Sequence, residues 1–202
     1  MRRATERLVA ARTSEADQLM EAATNVMVRL GPERRATVAD IVKAAGLSNQ
    51  AFYRHFASKD DLVAALVDAG ARRLVDYLAH RMASADEPQQ QIRVWVRGVL
   101  AQAADPAVAA PTRAVAWNRG VIDVEADAVA RQAEPMIWAL LEPPCTALGV
   151  ADPASDAYLV GRLVFAVLND VLWAEPTPTL PELDFVADFV LARIDRSPGR
   201  RR

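Results

Sequence analysis

The sequence predicts an all-α protein, with a short N-terminal head of three helices followed by a longer helical body. Three observations carry this. Apolar residues recur at spacings of three and four, with almost no alternation of the strand type. Pro and Gly clusters separate those runs. Ser or Thr followed three residues later by Asp, the signature of a capped helix start, occurs at Ser14/Asp17, Thr37/Asp40 and Ser58/Asp61.

In the first helix Leu19, Ala22, Ala23, Val26, Met27 and Leu30 form one apolar stripe. Ser14 with Asp17 marks its expected start, and Gly31-Pro32 its end. The preceding arm, residues 1–13, carries Arg2, Arg3, Arg7 and Arg12; it is either a solvated tail or an extension able to enter a minor groove. A second helix is expected from Thr37, with Val38, Ile41, Val42 and Ala45 inward and Gly46 as its stop. Ser48 caps a third, over 49 to about 56, and Leu47 and Phe52 sit where a hydrophobic staple needs them. The Ser58 box opens a long fourth helix to Met82 or Ala83. Further helices are expected near 89–104, 107–119, 123–142 with Pro135 as a kink, 153–174 and 181–196. The separators are "DP" at 105–106, "EPPC" at 142–145, "DP" at 152–153 and "EPTPTLP" at 175–181. "SPGRRR" reads as a disordered tail. This divides the chain into 1–58, 59–197 and a tail 198–202.

The chain has 202 residues, 52% of them apolar, and a formal charge of −2. Charge is unevenly placed. Residues 1–59 hold ten Lys/Arg against six Asp/Glu, and the rest hold fourteen against twenty. A basic head on an acidic body fits one face meeting a polyanion, although chance asymmetry would look the same. A single cysteine, Cys145, excludes an internal disulfide and a thiolate cluster, and two histidines make a zinc site improbable. No metal or cofactor is expected. No uncharged apolar run approaches the roughly 18 residues of a membrane span, and the N-terminus lacks the apolar core of a secretion signal. The expected compartment is the cytoplasm.

Two short helices around a glycine turn make a helix-turn-helix. In that motif the second helix enters the major groove with its first residues toward the base edges. Phe52 and Phe56, four apart, should face inward, leaving Asn49, Gln50, Tyr53 and Arg54 on the surface. Asn and Gln can pair bidentately with adenine, while Tyr, His and Lys suit phosphate oxygens.

The stretch "TVADIVKAAGLSNQAFYRHFASKDDL" (37–62), with its "AAGLS" turn, "FYRHF" and "SKDDL", closely resembles the DNA-binding signature of the TetR family of bacterial regulators. The likeness covers about residues 14–66. By position it implies that Thr37 holds a phosphate at a helix N-terminus. Ser48, Asn49, Gln50 and Ala51 would take the groove-facing start of the recognition helix. Tyr53 and His55 would contact phosphates, and Lys59 would anchor another. Gln50 departs from the Gly or Pro common in the family, which makes it a candidate specificity residue.

The resemblance also implies a C-terminal domain that dimerises and binds a small molecule. "DAYLVGRLVFAVLNDVLWA" (156–174) is apolar nearly all round, and the last helix has a wide apolar face; in the family these two helices form a four-helix bundle with their twofold mates. Tyr158, Arg162, Phe165, Phe185 and Phe189 are the expected dimer residues. A palindromic operator would then be read by two recognition helices about 34 Å apart. Trp95, Trp117, Trp138, Phe165, Asn169 and Trp173 are candidates for lining a hydrophobic or aromatic ligand site, with Asn118 and Asp170 as further polar anchors; simple core packing is the other reading of the tryptophans.

The function these readings converge on is a sequence-specific, dimeric DNA-binding regulator, a repressor relieved by a small ligand. The alternative is a DNA-binding dimer without one. A helical enzyme would need a nucleophile–base pair, a metal cluster or a phosphate-binding glycine loop. Two histidines, one cysteine and eight scattered glycines offer none.

Overall fold

The computed structural model describes residues 2–119 and 134–195, with side chains over 15–119 and 134–194. Among these residues there is no strand. The helices are α1 (Arg2–Leu30), α2 (Val38–Ala45), α3 (Asn49–His55), α4 (Lys59–Met82), α5 (Pro88–Ala104) and α6 (Pro106–Arg119). They continue with α7 (a helical run over 134–139), α8 (Glu142–Ala147), α9 (Pro153–Leu172), a 3₁₀ turn (Pro181–Leu183) and α10 (Asp184–Asp195). The expected helix from 123 and the C-terminal tail lie outside the described residues.

The chain packs as two units, Met1–Val67 with Arg113–Val129, and Asp68–Thr112 with Ala130–Arg202. In the first, α1 packs on α2 and α3, and α2 on α3. Leu19, Val26 and Met27 of α1 meet Ile41 of α2 and Phe52 of α3, all fully buried. The boundary does not follow a cut at residue 58. Leu62, Val63 and Leu66, in the first turns of α4, and Ala114 of α6 belong to this same core. A three-helix head is small, and apolar side chains from flanking helices complete its burial.

In the second unit α5 lies against α8, α9 and α10. Trp95 is fully buried there, and its indole N–H donates to the Ile137 carbonyl at 2.9 Å. Arg93 and Arg97 of α5 pair with Asp188 and Asp184 of α10 at 2.7 and 3.1 Å.

Two expectations about element limits are corrected. Ser14 does not start a helix, because α1 already runs from Arg2. Nothing from 2 to 13 breaks a helix, and a capping box favours a start without forbidding continuation. "EPPC" is not a separator either: it opens α8, with proline tolerated in a first turn that has no intrahelical acceptor to satisfy.

Candidate nucleic-acid interface

The turn between α2 and α3 is built from backbone geometry. Gly46 sits at φ 67°, ψ 25°, the left-handed region, and nothing lies within 4 Å of where a Cβ would be. Its requirement is therefore conformational and not steric. The Leu47 N–H closes onto the Val42 carbonyl at 3.0 Å, ending α2 in a Schellman-type closure. One residue on, the Ser48 hydroxyl accepts the Ala51 N–H at 3.1 Å and starts α3.

Phe52 and Phe56 are buried, as their spacing requires, and Phe52 meets Tyr53 edge-on with ring centroids 5.3 Å apart. Asn49, Gln50 and Tyr53 are exposed, Tyr53 by 59%. Three other expected DNA contacts are differently placed. Ala51 is buried, and its N–H is held by Ser48. The His55 Nε2 lies 2.9 Å from Glu15 Oε2 of α1, so the ring is turned to that carboxylate and only slightly accessible. Arg54 donates to the same oxygen at 3.1 Å. The carboxylate thus holds the last turn of α3 against α1. Lys59, half-buried, opens α4, where the Ser58 hydroxyl accepts the Asp61 N–H at 3.1 Å.

Thr37 is exposed at the start of α2, but its hydroxyl is engaged. It accepts the Asp40 N–H at 3.2 Å and donates to Asp40 Oδ2 at 2.7 Å; the Thr37 N–H reaches the same oxygen at 2.9 Å. Arg34 completes the cluster with two bonds to the carboxylate, at 2.8 and 3.2 Å. The Arg34 guanidinium first, and the Thr37 hydroxyl and N–H next, hold the Asp40 carboxyl well below the usual carboxylate range. The Thr37 hydroxyl and the Asp40 N–H at the start of α2 are thus already bonded to each other, and Arg34 offsets the Asp40 charge. The sequence reading missed Arg34 and Glu15, because neither has a local spacing signal to its partner.

The six aromatic and polar residues expected around a ligand do not share one place. Trp95 is core. Trp117 belongs to the first unit, with the Arg35 guanidinium 6.0 Å from its ring centroid. Asn118 is also in that unit and is buried, with both ends of its amide bonded. Asn169, Asp170 and Trp173 are exposed. Trp138 and Phe165 do meet, with ring centroids 6.2 Å apart and Tyr158 5.2 Å from Trp138. The buried indole N–H of Trp138 has no acceptor among the described residues. Cys145 is buried, and burial first, with the charges of Asp156 and Glu142 behind it, pushes its thiol up to about 11.

Of the expected dimer residues, Tyr158, Phe185 and Phe189 are exposed by 50%, 64% and 62% on α9 and α10, Arg162 is exposed, and Phe165 is half-buried against Trp138. Leu159 and Leu163, not anticipated, form an exposed apolar stripe on α9. A shallow groove of about 100 Å³ runs along it, lined by Leu159, Leu163, Phe189 and the Asp156–Arg193 ion pair at 2.9 Å.

Comparison with known proteins agrees with this geometry. Residues 19–66 match the family described as bacterial regulatory proteins, tetR family. An uncharacterized HTH-type transcriptional regulator of Mycobacterium tuberculosis is 29% identical over 93% of this chain and 89% of its own length. Among solved structures, the fatty acid degradation regulator FadR from Bacillus halodurans superposes with a TM-score of 0.69 at 20% identity, covering 87% of this chain and 97% of that one. FadR from Bacillus subtilis, solved in complex with stearoyl-CoA, gives 0.65 at 15% identity over 91% and 98%. At these identities the two structures establish the fold alone. No helix among the described residues is long and apolar enough to cross a membrane.

Proposed function

We propose that this chain, whose residues 19–66 match the tetR family of bacterial regulatory proteins, is a DNA-binding transcriptional regulator, a homodimeric repressor whose hold on a palindromic operator is released by a small hydrophobic or aromatic ligand. The observation that carries the DNA contact is the first turn of α3, where Asn49, Gln50 and Tyr53 stand exposed around a buried Phe52. Asn49 and Gln50 read base edges, Gln50 setting preference, while Tyr53 and Lys59 meet phosphates. Ala51 and His55 support this surface from behind.

The apolar stripe of α9 and α10 supports the dimer. Five large apolar side chains exposed along two neighbouring helices exceed what scattered surface residues explain. The ligand reading is supported by the aromatic cluster of Trp138, Tyr158 and Phe165 with its free indole donor, and by a relative of the same fold solved with stearoyl-CoA. An effector preferring the released state about 100-fold supplies about 2.7 kcal/mol of coupling. Specific and non-specific DNA binding differ by about 4–10 kcal/mol, so such a ligand weakens operator binding without removing DNA affinity altogether. The site of action is the cytoplasm, where the operator is.

Fluorescence anisotropy with the duplex that the protein selects from a random-sequence pool tests this. Tight binding that is lost on scrambled DNA and in Tyr53→Ala is expected. Weak binding that is equal on both duplexes and indifferent to Tyr53 would overturn the operator reading.

A further inference from the structure

Ala36 is the last residue before the Thr37 cap, and it is 2% exposed. A backbone N–H buried there has to find an acceptor. It finds one 82 residues away, donating to Asn118 Oδ1 at 2.9 Å. The other end of that amide, Nδ2, donates to the Ala114 carbonyl one turn earlier on α6, also at 2.9 Å. Since Oδ1 faces an N–H and Nδ2 a carbonyl, the network leaves the amide one orientation.

The loop from Gly31 to Thr37 is thereby fastened at three points: Arg34 to Asp40, Arg35 over Trp117, and Ala36 to Asn118. Two of the three anchors lie on the last turn of α6, far outside the helix-turn-helix and outside residues 19–66. Asn118 and Asp156 are the two buried polar or charged residues among those described. A leucine at 118 would fill space without desolvating an amide. What the amide adds is direction, because its bond is satisfied in one register only. Sliding α6 by one residue would turn the side chain by about 100° and move it about 1.5 Å, leaving the Ala36 N–H unpaired.

We infer that Asn118 is a positioning residue for DNA binding: by holding the Ala36 N–H it sets where α2 begins. The Gly46 turn then passes that position to the recognition helix α3. The inference rests on the DNA-binding reading above.

Asn118→Leu tests it, compared with Val26→Ala, a large-to-small change in the same core that leaves the Asn118 amide in place. Amide hydrogen exchange and anisotropy on the selected and scrambled duplexes are the readouts. In Asn118→Leu the Ala36 amide should exchange about 5- to 30-fold faster, the range of one lost buried hydrogen bond, while Ile41 and Val42 stay protected. Affinity for the selected duplex should fall about tenfold with scrambled DNA unaffected, whereas Val26→Ala keeps its sequence preference. Should leucine unfold the head, Asn118→Ser replaces it; its hydroxyl bonds back to its own helix and is too short for Ala36. Unchanged exchange at Ala36, or equal loss of preference in Asn118→Leu and Val26→Ala, overturns the inference. A pool that yields no preferred duplex removes the DNA-binding reading itself, whatever the Ala36 amide does.

Discussion

Gly161 of α9 faces the indole of Trp138, and a Cβ placed on it would fall inside contact distance of ring atoms Cδ1, Cγ and Nε1. Gly161→Ala therefore sets two effects against each other. Alanine is favoured over glycine within a helix by about 1 kcal/mol. Overpacking a filled core costs about 1–3 kcal/mol, and the upper end applies here because the obstacle is a buried ring rather than the tip of a flexible side chain. Trp138 is further held edge-on by Tyr158 and Phe165, so it cannot tilt without loosening both contacts. The net expectation is a loss of about 2 kcal/mol, or about 4–8 °C in Tm for a chain of this size. In a Trp138→Leu background the obstacle is gone and only the helix term remains, so the same change should stabilise by about 1 kcal/mol. Urea unfolding of the four proteins, all at one protein concentration so that any self-association contributes equally, reads out this coupling of about 3 kcal/mol. If Gly161→Ala has the same sign in both backgrounds, the close approach of α7 and α9 is not what requires glycine.

Replacing Phe185 and Phe189 together by Ser should turn a dimer into a monomer in sedimentation while leaving helix content unchanged, since both rings are mostly exposed within one chain; a wild-type chain that is already monomeric would refute the α9–α10 interface. Gln50→Ala should relax the base preference of the selected duplex by about 1–3 kcal/mol at one position per half-site, whereas Lys59→Ala should weaken all duplexes alike and lower the salt slope by about one, both measured by anisotropy against salt. For Asp40 the folded-state value is depressed, so its contribution to stability is present above the unfolded value of about 3.9 and is lost as pH falls toward the folded one. The stability gap between wild type and Asp40→Asn should thus be constant from pH 7 to about 5 and close below about pH 4; a gap that widens in acid would contradict the Arg34–Asp40 cluster.

The head was legible in the sequence because its signals are local. A cap and its partner lie three residues apart, a staple five, and a glycine turn in the left-handed region needs only itself. Thr37, Gly46, Ser48 and the inward Phe52 and Phe56 follow from such short-range rules, as does the exposure of Asn49, Gln50 and Tyr53. The apolar character of α9 follows from the same short-range pattern, but a helix apolar nearly all round does not say which of its residues, such as Leu159 and Leu163, stay exposed. Local signals also misled. Ser14 offered a cap that the helix passes by, and "EPPC" resembled a break while opening a helix.

The all-α class, the helix-turn-helix and the exposure of Asn49, Gln50 and Tyr53 were thus determined by the sequence alone, because helix starts, stops and faces depend on neighbours within one or two turns. Which polar groups stay free was decided by tertiary structure. His55 turns to Glu15, forty residues away, and Asn118 to Ala36, eighty-two away; the four tryptophans separate into a head, a core and a surface. A side chain's type says what it can bond. Its partner depends on which distant segment the fold brings within 3 Å, and no spacing along the chain records that distance.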